Sequence, residues 1–177
     1  FWKKWLPGKP KPVDALASLA DPQYRNRWIR MEGTVDAIEE FHFPLVDRPL
    51  VALDYRAQAP GLHALNLGGL LGNSLDVRVQ AHESRDFLLR DSSGVVFISA
   101  AGGVDVTAFH REQSARHGLN LRTQLRSIGA GDRIGVVGRV ETFRSDAAAY
   151  RQEICALVRA KDIFPLEPSA FVSKARK

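Results

Sequence analysis

Strict alternation of apolar and polar residues is what most restricts how this 177-residue chain can fold. Leu75, Val77, Val79 and Ala81 alternate with Asp76, Arg78, Gln80 and His82. A period of two puts one set against a core and the other in water, so the segment reads as a half-buried strand. "PLVALDYRA" repeats the pattern, with Val51, Leu53 and Tyr55 opposite Ala52, Asp54 and Arg56. A hydrophobic content of 45% with 25% charged residues suits a globular chain that buries a core. The length fits one domain, or one domain with tails.

"DFLLRD" and "GVVFISA" flank Asp91-Ser92-Ser93-Gly94, and the loop has the length and chemistry of a hairpin turn. Val95 and Phe97 on one face and Val96 and Ile98 on the other make the second run apolar on both sides, as in a strand well inside a sheet or barrel. "WIRMEGTVDAIEEF" mixes β-branched and polar residues, and its Gly33 signals a bulge or bend. "VDALASL", Val13 to Leu19, predicts a short helix ended by Asp21-Pro22. Leu121, Leu125 and Ile128 fall at helical spacing, which predicts a helix within Thr107–Ile128 ended by "GAGD". "RIGVVGRVE" and "QEICALVRA" supply two more strands, joined across "FRSDAAAY". The expected fold is mainly β: an antiparallel OB-like barrel or small sandwich of about seven strands, locally connected, with one inserted helix and a short N-terminal helix.

Little in the chain points to catalysis. A serine nucleophile needs a histidine base and usually a strand-to-helix elbow, whereas Ser92 and Ser93 lie between two strands. His110 and His117 miss the i, i+4 spacing of a helical metal pair, and His82 and Glu83 are neighbours in a strand that point to opposite faces. "GAGDRIG" nearly mimics a dinucleotide fingerprint, but a helix precedes it and a strand follows, which is the reverse of the required order. It reads as a helix C-cap glycine and a turn. Glu39-Glu40 is sequential rather than convergent. The single Cys155 excludes an internal disulfide and any cysteine-based zinc cluster, and reads as a buried inert thiol. No enzyme, cofactor or metal is expected.

Charge is concentrated at the ends. Residues 1–20 carry four lysines against Asp14, and residues 166–177 carry three cations against Glu167, so the 18 basic and 18 acidic residues of 21–165 cancel. A neutral middle disfavours nucleic acid as a partner, although a neutral total can hide a patch. In "FWKKWLPGKPKP", Trp2, Lys3, Lys4 and Trp5 have the chemistry of a cytoplasmic headgroup-level segment beside a removed membrane helix. Residues 57–74 hold no charge and five leucines. Leu65, Leu67, Leu70 and Leu71 are the expected contact with a membrane or partner, against folding back as a lid.

"IRMEGTVDAI", "DFLLRDSSGVVFISAAGGVDV" and "IGAGDRIGVVGRVE" follow one another in an order that resembles the GIDE, or beside-a-membrane, domain. The resemblance covers about Ile29 to Ser173, and its most specific part is the hairpin carried by Phe87, Asp91, Ser93, Gly94 and Val96. The family includes the mitochondrial RING-type ubiquitin ligase MULAN and prokaryotic membrane proteins. It implies a domain lying between two transmembrane helices. The chain departs from the ligases in having one cysteine and so no RING, and in lacking a tryptophan after the second strand. The implied organisation is a basic juxtamembrane leader with a short helix (1–24), a GIDE-like β domain (25–166) and a basic tail (167–177). The expected function is a non-enzymatic binding or regulatory module of a membrane-anchored protein on the cytoplasmic side. It would act through an unknown protein partner or through contact of its basic ends with the membrane surface. An OB-like single-stranded nucleic-acid binder is the alternative, and a small hydrolase using Ser93 a distant third.

Overall fold

The computed structural model describes residues 9–59, 77–118, 121–141 and 154–166. Among them are ten strands: β1 (Lys11–Pro12), β2 (Trp28–Ala37), β3 (Ala52–Ala59), β4 (Val77–Ser84), β5 (Phe87–Arg90), β6 (Val95–Ser99), β7 (Gly102–Gly103), β8 (Arg122–Ile128), β9 (Arg133–Glu141) and β10 (Ile154–Pro165). One α-helix, α1, spans Val106–His117. The protein is mainly β, as its alternation predicts.

Five strands close on themselves in the order β2-β5-β6-β10-β9, with β9 returning to β2. Every neighbouring pair is antiparallel except β6 and β10. The arrangement is compatible with an OB-like barrel. Alternate residues point inward: Ile29, Met31 and Val35 from β2, Phe87 and Leu89 from β5, Val96 and Ile98 from β6, Ile134 and Val136 from β9, Ala156 and Val158 from β10. Closure removes the open edges that a five-stranded sheet would leave available for aggregation.

The closure turns on Gly33. Residues Trp28–Thr34 of β2 pair with β9, and Thr34–Ala37 pair with β5, so β2 passes from one neighbour to the other at Gly33–Thr34. A Cβ at Gly33 would lie 2.8 Å from both the Arg90 carbonyl oxygen and Leu89 Cγ. The bend suggested by the glycine is therefore a place where two strands approach too closely for a side chain.

One end of the barrel is sealed by the chain's own N-terminal part. A 3₁₀ turn at Leu16–Ala20 and a second at Pro22–Tyr24 send Leu16, Leu19 and Tyr24 into the barrel core. The short helix expected at Val13–Leu19 is thus a 3₁₀ turn, and β1 lies parallel beside β2. From Lys11 onward the segment expected as a leader belongs to the folded body.

A second sheet of order β7-β4-β3-β8 stands at the other end. Its β3 and β4 come from the connection between β2 and β5, and its β7 and β8 from the connection between β6 and β9. It has its own core of Phe43, Leu50, Leu53, Tyr55, Ala57, Val106 and Leu125. Arg48 and Asp132 clamp the two insertions together with paired 2.7 Å hydrogen bonds. Burial pushes the Asp132 carboxyl up, but the bonds from Arg48 and from the Gly129 N–H outweigh this and hold it below its ordinary value.

The helix expected across Thr107–Ile128 is corrected. It stops at His117 with Gly118 (φ 58°) as its cap, and Arg122–Ile128 is strand. Leu121 and Leu125 are four apart, a spacing that fits a period of two as well as one of 3.6. Seven residue pairs with β3 decide for strand. Gly129–Asp132 is then the turn between β8 and β9, with Gly131 at φ 83°, rather than a helix cap. The expectation that every pair is local and antiparallel is corrected in two places: β6 pairs in parallel with β10, and β2 pairs antiparallel with the distant β9.

Gly33→Ala tests the closure. The new methyl group meets backbone as well as Leu89, so destabilisation of about 1–3 kcal/mol is expected, read as a lowered midpoint in urea denaturation with unchanged slope.

Candidate binding face of the barrel

The Asp91-Ser92-Ser93-Gly94 loop is a structural clamp. Asp91 Oδ1 accepts hydrogen bonds from the Ser93 N–H (2.7 Å), the Ser93 hydroxyl (2.7 Å) and the Gly94 N–H (2.9 Å). Its Oδ2 accepts from the Leu16 N–H at 2.9 Å, and Ser93 Oγ accepts from the Ala17 N–H at 3.0 Å. One carboxylate thus builds the hairpin turn and fastens the N-terminal 3₁₀ turn to it. Burial pushes the Asp91 carboxyl up, but this set of donors outweighs it and holds the group below its usual range. Ser93 donates to a carboxylate rather than to a histidine, so its surroundings are those of a turn.

The outer side of the barrel carries a different feature. Register places Asp36, Leu88, Phe97, Leu157 and Glu141 side by side across β2, β5, β6, β10 and β9. Leu88, Phe97 and Leu157 are each half-buried, on the parity opposite to the core residues Phe87, Leu89, Ile98 and Val158. Both ends of the row are closed by ion pairs, Arg90 with Asp36 at 3.2 Å and Arg159 with Glu141 at 2.8 Å. The result is an apolar centre with a polar, charge-neutral rim. "VVFIS" is apolar on both faces, with Phe97 half-buried on the outer one.

A cavity of about 420 Å³ lies where β4, β7 and the start of α1 meet. Of the two acids that line it, Glu83 and Asp105, Glu83 is 5% exposed and has both its oxygens engaged. Oε1 accepts from Arg85 at 2.6 Å and Oε2 from the Val106 N–H at 2.9 Å. Glu83 therefore anchors the N-terminus of α1, where a negative charge is favoured. His82, its neighbour, is exposed on the opposite side of β4, as strand geometry requires. Gly103 (φ 92°) allows the close approach, since a Cβ there would lie 1.9 Å from the His82 carbonyl oxygen.

His110 hydrogen-bonds through Nδ1 to the Tyr55 hydroxyl at 2.9 Å, inside an edge-to-face cluster with Phe43. Burial lowers the His110 pKa and pushes Tyr55 up to about 12, so both are neutral at pH 7 and the pair serves packing. Among the described residues, no three His, Cys, Asp or Glu side chains gather closely enough to hold a metal ion. Cys155 is half-buried at a β-bulge and packs against the barrel core beside Gly94, so it is less enclosed than expected. The expected contact residues Leu65, Leu67, Leu70 and Leu71, and Trp2, Lys3, Lys4 and Trp5, lie outside the described residues.

No family model matches this chain, and neither does any curated protein. Among solved structures it is similar to a protein assigned as an aspartyl-tRNA synthetase from Leishmania major Friedlin, at 12% identity and a TM-score of 0.42. The match covers 96% of this chain and 23% of the other, so the chain spans less than a quarter of that protein's length. At this TM-score the likeness carries no argument.

Asp91 yields a pH test. Its carboxyl is held below the ordinary value of 3.8, so its contribution is complete above that value and fades as pH falls through the lower folded value. Asp91→Asn is expected to cost about 1–2 kcal/mol at pH 7, the scale of a lost capping carboxylate. The gap to wild type should narrow in acid, measured by denaturation from pH 7 downward. A gap that stays constant with pH would show that the charge of Asp91 is not what holds the clamp.

Proposed function

We propose that this chain is a non-enzymatic binding module of a membrane-anchored protein, and that it docks a partner protein on the outer face of β5, β6 and β10. The carrying observation is the Leu88–Phe97–Leu157 row closed at each end by an ion pair. Protein interfaces combine an apolar, aromatic-containing centre with a polar rim. The two cations beside the row are already neutralised, which favours a protein over a polyanion at this face.

The tether rests on other features. The lysines and tryptophans of the first residues fit a headgroup-level segment, and the hairpin resembles that of the beside-a-membrane family. Regulation by contact is the reading that uses the outer face of β5, β6 and β10 best.

A photo-crosslinking residue at position 97 should give a discrete protein adduct. Leu88→Ser with Leu157→Ser should lower its yield about tenfold, the scale of a lost apolar anchor, at an unchanged melting temperature. The same adducts from a crosslinker at Glu32, on the exposed side of β2, would remove this face from consideration. For the tether, the protein expressed from its full gene should pellet with membranes and resist a high-salt wash. Recovery in the supernatant would refute it.

A further inference from the structure

The second sheet has an outer face whose composition emerges only from its register. Opposite the core-facing Leu53, Tyr55 and Ala57, three rows cross β4, β3 and β8. Gln80, Arg56 and Gln124 form the middle row, Arg78, Gln58 and Arg122 a row to one side, and His82, Asp54 and Arg126 the row to the other. Arg56, Arg78 and Arg122 are exposed and Arg126 is half-buried. Four arginines therefore share a patch of about 10 by 14 Å, given the strand spacing and the rise per residue pair.

The lone carboxylate of these rows, Asp54, lies 3.5 Å from His82 Nδ1. Among the described residues, none of the four arginines forms an ion pair with a carboxylate; Arg25, Arg27, Arg111, Arg133 and Arg139 share this, so what sets the four apart is that register gathers them on one sheet face. Clustered like charges on one sheet face repel, and a fold gains nothing from them unless an anionic partner neutralises them.

We propose that this face binds a nucleic-acid strand through its phosphates. The cations are all arginines, whose planar fork grips phosphate in bidentate fashion. Gln80 and Gln124 flank Arg56 in the middle row and add neutral donors and acceptors for sugar and phosphate oxygens. Among the described residues these rows carry no Phe, Tyr or Trp, and their one ring, His82, is beside Asp54, so base stacking is slight and sequence preference weak. Peripheral membrane binding uses apolar side chains that enter the headgroup region beside the cations, and these rows offer none. The charge neutrality of residues 21–165 is an average over this patch and an acidic remainder.

The test uses the full 177-residue chain and fluorescence anisotropy with a labelled single-stranded 20-mer. Arg56→Ala, Arg122→Ala and Arg126→Ala together should weaken binding at least about tenfold and flatten the salt dependence by about two in slope. The control triple Arg30→Ala, Arg111→Ala and Arg116→Ala removes the same charge from exposed sites outside these rows and should stay within about twofold of wild type. Equal loss in both triples would overturn the proposal in favour of generic attraction by the basic ends. Wild-type binding to phosphatidylserine vesicles but not to the oligonucleotide, sensitive to the first triple, would overturn it in favour of a lipid surface. Should the first triple lose its cooperative melt, the single exposed change Arg122→Gln serves instead, with an expected loss of about two- to fivefold.

Discussion

The structure depends on one strand having two neighbours. β2 gives its first seven residues to β9 and its last four to β5, and the exchange occurs where Gly33 leaves room for the backbone of Arg90. Without that passage the five strands would form an open sheet with exposed edges, and the inward residues would lack a common interior. Closure also fixes where everything else emerges. Ala37 lies opposite Phe87, Phe87 opposite Ile98, and Thr34 opposite Arg133. Both long insertions therefore leave and re-enter at one end of the barrel, and this is what lets β3 and β4 from one pair with β8 and β7, respectively, from the other.

The two ends are sealed by different means. At the hairpin end, Asp91 spends its oxygens on four hydrogen bonds that hold a 3₁₀ turn over the core. At the other end, a separate apolar cluster and the Arg48–Asp132 pair hold the insertion sheet in place. The residues most suggestive of chemistry are absorbed by these tasks. Ser93 fastens a turn, Glu83 receives the first N–H of α1, and His110 packs against Tyr55.

What could be read from the sequence was whatever is local. The alternation of "VALDYRA" and "VRVQAH" predicts β3 and β4, and Asp91-Ser-Ser-Gly predicts the hairpin turn. What could not be read depends on partners distant in sequence. Leu121 and Leu125 suit a helix until β3 supplies seven pairs. The parallel match of β6 to β10 joins segments about sixty residues apart and has no turn signature. The arginine face is the sharpest case, because Arg56, Arg78, Arg122 and Arg126 come from three separate strands, and a charge count along the chain averages them away. Leu88, Phe97 and Leu157 were visible as apolar residues, but the row they form was not.

The two faces also differ in a way that bears on their partners. An ion entering a protein interface loses water and must keep its counter-ion, since an unpaired buried charge is strongly unfavourable. The arginines beside Phe97 meet that condition by carrying Asp36 and Glu141 with them. Among the described residues the arginines of the insertion sheet form no ion pair with a carboxylate, and at the surface their charge is met by water and counter-ions, which a bound polyanion would replace. As proposed, the self-neutralised apolar face suits a protein and the cationic face a nucleic-acid strand, so a single body offers surfaces of two unlike chemistries. The Arg48–Asp132 pair and the shared seam between barrel and insertion fix the relation of those faces.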